Sequence, residues 1–131
     1  MDKEKQINYW LTSSDMDWQT ANDIFNSDKN FHYCLFIGHL SIEKLLKAFV
    51  VEKTETFPPK SHNLVRLAEL AEIEITIEQI KLLEELNQFQ LDTRYPDEKF
   101  SLYKTATKDF TTDKINKVNE LRQWLLKKLP N

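Results

Sequence analysis

The sequence predicts an all-α fold, an up-and-down bundle of four or five helices, and three observations carry that reading. One glycine and four prolines in 131 residues leave little material for a multi-hairpin β fold, because tight β-turns lean on Gly and Asn for positive φ. Apolar residues recur at spacings of three and four over long stretches, which is the period of a helix face. The apolar share of 40%, with 11% aromatic, is ample for one core, and the 30% of charged residues suits a solvated exterior. The length fits a single domain over residues 1–131.

The first helix is expected from about Asp2 to Ser27, with Ile7, Leu11, Ser14, Trp18, Ala21 and Phe25 on one stripe. Ser27-Asp28-Lys29-Asn30 is the break. The second helix, Phe31 to about Lys53, is apolar nearly all round and should therefore be central. Gly38 interrupts it at a cost of ~1 kcal/mol relative to Ala, and the simplest reason is a neighbouring helix that comes close. Pro58-Pro59 ends this region, and Ser61 can cap a short third helix through Leu64, Leu67, Ala68 and Ala71. Thr76-Ile77-Glu78-Gln79 is a capping box for a fourth, expected to end near Asp92 ahead of Pro96. Residues 93–109 lack clean periodicity and read as an irregular connection, of which residues 98–109 form a lid or simply a loop. The last helix should run from about Thr112 to Leu129, with Ile115, Val118, Leu121, Leu125 and Leu129 inward.

Several function classes are disfavoured. A net charge of −3 supplies no long-range pull toward nucleic acid, so any such contact rests on a local patch. Cys34 is the only cysteine and sits in an apolar run, which reads as a buried small hydrophobe. No apolar stretch approaches the roughly 18 residues needed to cross a bilayer. Met1–Lys5 is charged and is not followed by a signal-type apolar core, so the cytoplasm is the expected location. There is no Gly-rich phosphate loop, no nucleophile elbow and no zinc spacing among the three histidines. His39 lies in a buried-looking run, where a hydrogen-bonded core imidazole is commoner than a ligand.

Three places hold polar residues that packing does not readily explain. Glu43, Lys44 and Lys47 interrupt the apolar second helix. Glu43 and Lys47 stand four apart in the favourable orientation for an ion pair, and such runs are usually solvated faces. Lys60-Ser61-His62-Asn63 opens a helix, where backbone N–H groups favour anions; this is a phosphate cradle or a plain cap. Asp92-Thr93-Arg94-Tyr95-Pro96-Asp97 offers an arginine that clamps a phosphate bidentately, or an ion pair with Asp92 or Asp97 that ties the loop down.

These places, in this order, resemble the HEPN domain, a small helical bundle named for nucleotide binding in prokaryotes and higher eukaryotes. Trp10 to Asp23 is similar to the family's first helix, with Asp17 ahead of an Ala-containing turn. Phe36 to Ala48 resembles its most recognisable segment, a polar residue followed by small-x-Glu-Lys-x-x-Lys-Ala. Ser61-His62-Asn63-Leu64 is similar to its His-Asp-Leu helix start, and Arg94-Tyr95-Pro96-Asp97 to its Arg-Tyr-Pro-Asp. His39 stands where a Gln is commoner, and Asn63 where an Asp is commoner.

The resemblance implies a non-catalytic module that binds a nucleotide or RNA, with no metal and no cofactor. Lys44, Lys47, Lys60 and Arg94 would meet phosphate, His62 would add a hydrogen bond, and Tyr95 would stack on a base. Glu43 and Asp97 would orient the cations. The expected partners are a minimal nucleotidyltransferase, often in toxin–antitoxin modules, and a second copy in a homodimer. One alternative is an interaction or dimerisation module without a ligand. Another is a metal-independent ribonuclease toxin, but that branch carries an Arg with a His four to six residues later, and no histidine follows Arg66, Arg94 or Arg122 at that interval. Whether Lys47, His62 and Arg94 converge on one concave site separates the readings.

Overall fold

In the computed structural model, which describes residues 1–130, every regular element is an α-helix. The order is α1 (Lys3–Asn26), α2 (Phe31–Thr54), α3 (Leu64–Leu70), α4 (Ile77–Asn87), α5 (Pro96–Thr105) and α6 (Lys108–Leu126). The α2 helix is the axis. It is buried almost continuously from Cys34 to Val51 and packs against α1, α3 and α6, with lighter contacts to α4 and α5. Leu35, Ile42, Leu45, Leu46 and Val50 meet Leu64, Leu67, Leu83, Leu86, Val118, Leu121 and Leu125 in one core.

The α1 stripe faces this axis as its spacing predicts, with Ser14 and Ala21 fully buried. Cys34 is fully buried, its thiol donates to the Ala21 carbonyl at 3.2 Å, and burial pushes its pKa up to about 12. It is an inert core residue. Asp2 caps α1, and Thr76 with Gln79 forms the expected reciprocal capping box on α4. At Gly38 an added Cβ would sit 3.5 Å from Ile115 Cδ1 of α6, an ordinary van der Waals contact. The neighbour is there, but it would admit an alanine.

Four boundaries differ from the sequence reading. The cap of α3 is Asn63, not Ser61: its Oδ1 accepts from Val65 N and Arg66 N. The α4 helix stops at Asn87, five residues before Asp92, because Phe89, Gln90 and Leu91 turn inward and are buried. Residues 96–105 are a sixth helix, opened by Pro96 at the first helical position, where its missing N–H costs nothing. The α6 helix starts at Lys108 rather than Thr112, since the Thr107 hydroxyl accepts from Phe110 N. Among the described residues no helix is long and apolar enough to cross a membrane.

Candidate functional site

The middle of α2 carries a buried charge cluster. Glu43 is 4% exposed and Lys47 6% exposed, so they are not a solvated edge. Lys47 Nζ lies 3.2 Å from Glu43 Oε2 and 5.2 Å from the centre of the Trp10 ring. The other oxygen, Glu43 Oε1, is 2.8 Å from His62 Nδ1. A carboxylate only accepts, so Nδ1 carries the hydrogen, and the half-exposed ring keeps Nε2 unengaged. A buried pair holds only if its remaining hydrogen-bonding positions are filled; His62 fills one of them.

His39, one turn before Glu43, is fully buried, and neither ring nitrogen has a hydrogen-bond partner. That departs from the hydrogen-bonded imidazole expected for a core histidine. Desolvation lowers its pKa to about 4, opposed by the charge of Glu43 and assisted by that of Lys47. His39 is therefore a neutral spacer behind the Glu43–His62 contact.

A chain of amide contacts joins His62 to Arg94. Asn63 Oδ1 accepts from Asn87 Nδ2, Asn87 Oδ1 accepts from Leu64 N, and the Asn87 carbonyl lies 3.4 Å from Arg94 Nη2. Arg94 Nη1 donates to Glu98 Oε2 at 3.3 Å, while Glu98 Oε1 accepts from Tyr95 N. The partner of Arg94 is thus Glu98, not Asp92 or Asp97, and Asp97 stands exposed without an ion pair among the described residues. Lys60 and Tyr95 are exposed, Tyr95 by 74%.

The candidate residues fall into two groups. Asn63 and Asn87 tie the start of α3, next to His62, to Arg94, while Lys60 and Tyr95 are exposed sequence neighbours of those two residues with no side-chain hydrogen bond to them among the described residues. Lys47 is buried behind His62, and Lys44 reaches α1, with its Nζ 2.7 Å from Asp17 Oδ2. Both lysines are neutralised and neither is free for a phosphate. The helix-start cradle is filled as well, since Asn63 and Asn87 take the N–H groups of Leu64, Val65 and Arg66. Arg94 lines an open groove of about 540 Å³ with Glu85 and Glu98 among its walls; neither Lys47 nor His62 lines it. Lys47, His62 and Arg94 therefore do not share one concave pocket, so the convergence that would favour an enclosed nucleotide site over an interaction module is not found.

Sequence reasoning missed three participants. Glu98 was legible, because Arg94 and Glu98 stand four apart and Glu at the third position after Tyr95 fits a helix start. Asn87 carried no local signal, since its role is to bridge α3 and α5. The third is Arg122, 3% exposed, which donates to Ser14 Oγ at 2.6 Å and Asp15 Oδ1 at 2.7 Å. Ser14 in turn donates to the Ser41 carbonyl, so this contact locks α6, α1 and α2 together.

Comparison with known proteins agrees with this architecture. The crystal structure of TT1696 from Thermus thermophilus superposes with a TM-score of 0.76 at 15% identity, over 95% of this chain and 98% of that one. This likeness is one of fold. No curated protein sequence matches significantly. The sequence model of the HEPN domain matches residues 7–129, nearly the whole chain, so the protein belongs to the HEPN domain family.

Proposed function

We propose that this HEPN domain is a non-catalytic module that binds a nucleotide, or a partner carrying one, on the face formed by Lys60, His62, Arg94 and Tyr95. The observation that supports it most is the tie from buried Glu43 through His62, Asn63 and Asn87 to Arg94. It links a half-exposed imidazole with a free Nε2 to a partly buried guanidinium that is paired with Glu98 and keeps only its remaining Nη hydrogens for a ligand. Glu43 and Lys47 are positioning groups in this reading. An open face suits a nucleotide that belongs to a larger partner better than an enclosed mononucleotide. The family's pairing with minimal nucleotidyltransferases in toxin–antitoxin modules makes such an enzyme the first protein partner to test, beside a second copy of this chain.

Thermal melting against a panel of nucleotides and short RNAs tests the proposal. A ligand at 100 times its dissociation constant adds ~2.7 kcal/mol of stability. The expected result is a selective upward shift that disappears in Arg94→Ala. The absence of any shift would replace this reading with that of an interaction module without a ligand.

One observation favours a second reading, ribonuclease activity at His62. A buried carboxylate on Nδ1 fixes the tautomer that leaves Nε2 as a proton acceptor, which is the arrangement of a general base. RNA cleavage that vanishes in His62→Ala supports this reading; intact RNA under excess protein rejects it.

A further inference from the structure

The α5 helix contributes no buried side chain, yet it carries Phe100 and Tyr103, each more than half exposed. Facing it, the first turn of α2 presents His32 and Tyr33. The His32 ring lies 4.5 Å from Tyr33 and 5.0 Å, edge-on, from Tyr103. Phe100 and Tyr103 are nearly parallel at 6.0 Å. Single exposed aromatics need no explanation, but three gathered around a partly buried His32 in one contiguous group do.

Two grooves meet at these rings. One, of about 600 Å³, runs between α2 and α5 over a floor that includes Phe36, Leu91 and Pro96. The other, of about 390 Å³, continues past Asn30 toward Thr107, and His32 and Tyr103 line both. Lys99 borders the first groove, and Lys29 and Lys104 the second. Lys104 Nζ sits 4.7 Å over the Phe100 ring. None of these three lysines is in an ion pair among the described residues, unlike Lys44, Lys47 and Lys108.

We propose that the α2–α5 cleft is a stacking platform for single-stranded nucleic acid. The exposed parts of Tyr33 and Tyr103 accept bases of any sequence, Phe100 does so when Lys104 leaves its ring for a phosphate, and Lys29 and Lys99 meet neighbouring phosphates. Desolvation lowers the pKa of His32, so at neutral pH it joins the group as an uncharged ring. Asp92 also lines the first groove and the chain is acidic overall, so attraction acts at short range and is sensitive to salt. The cleft is lined from α5 by Pro96, Lys99, Phe100 and Tyr103, whereas the groove at Arg94 is lined by Glu98, Ser101, Leu102 and Thr105, so the two lie on opposite faces of that helix. The platform shares its ligand class with the proposed function but rests on different residues.

The test is fluorescence anisotropy with labelled oligouridylate and oligothymidylate of about 12 nucleotides, within the usual span of such sites, beside uridine monophosphate. The oligomers should bind more tightly than the monomer. Their affinity should fall with salt with a logarithmic slope near −2, as expected for about three lysine contacts to a single strand. Phe100→Ala and Tyr103→Ala should each weaken binding by about 5- to 150-fold, with helical content unchanged because both side chains are largely exposed. A preference between the two oligomers assigns RNA or DNA as the source. If both variants bind as wild type does, or no oligomer binds at low salt, the platform is overturned. An acidic, aromatic peptide that binds there when oligomers do not also overturns it, in favour of protein docking. Loss in Arg94→Ala with no loss in the ring variants rejects the platform and keeps the first site; the reverse pattern rejects the first site and keeps the platform.

Discussion

His39 makes the stability of this domain depend on pH in a way that one substitution isolates. Its ordinary pKa of 6.5 falls to about 4 in the fold, chiefly because burial penalises the charged ring. The unfolded chain therefore holds more protons than the folded one between these values. Stability contributed by neutral His39 is complete above pH 6.5 and is lost as the pH falls toward 4. The full displacement corresponds to about 3 kcal/mol, of which about 2 kcal/mol is lost between pH 7 and pH 5. In a domain of this length that lowers the melting temperature by about 5–8 °C. Facing groups act on the same ring, Glu43 raising its pKa and Lys47 and His62 lowering it. His32 also has a lowered pKa and adds to the slope with the same sign. The assay is therefore a difference: urea unfolding of wild type and His39→Gln at pH 7 and pH 5. The variant should lose about 2 kcal/mol of the pH dependence and keep the remainder. Equal slopes in the two proteins would refute a buried, neutral His39.

Other consequences are more local. Lys47→Ala leaves Glu43 buried beside His62 alone and should cost about 3–5 kcal/mol by denaturant unfolding, whereas replacing Glu43 and Lys47 together by apolar residues of similar volume should cost less. Gly38→Ala should stabilise by up to about 1 kcal/mol, because α6 leaves room for a methyl group at ordinary contact distance. Arg122→Ala should destabilise by about 2–4 kcal/mol through lost packing on Trp18 and lost hydrogen bonds to Ser14 and Asp15.

The parts of the fold that obey local rules were legible in the sequence. The α1 stripe, the all-round apolar α2 and the Thr76 capping box each depend on neighbours three or four residues away, and each formed as expected. The α5 helix was missed because only Leu102 packs against the core and most of its other side chains are exposed; Tyr95-Pro96-Asp97-Glu98 was the available signal, a proline and two acids in a first turn. The early end of α4 was not readable, since only tertiary packing draws Phe89 and Leu91 inward. At the site, Glu43 and Lys47 read as a solvated pair from their spacing, yet lie buried because His62 from the loop before α3 meets Glu43 and Trp10 of α1 lies against Lys47. The link from Asn63 through Asn87 to Arg94 spans three elements, and no local pattern encodes it.

The proposed nucleotide-binding face near His62 and Arg94 is tested by a two-dimensional amide NMR titration with a nucleoside monophosphate, followed by a short single-stranded RNA. The largest shifts should cluster at His62, Asn63, Asn87 and Arg94, with those of α5 joining only when the RNA is added. Shifts confined to other surfaces, or none with either ligand, would contradict such a face.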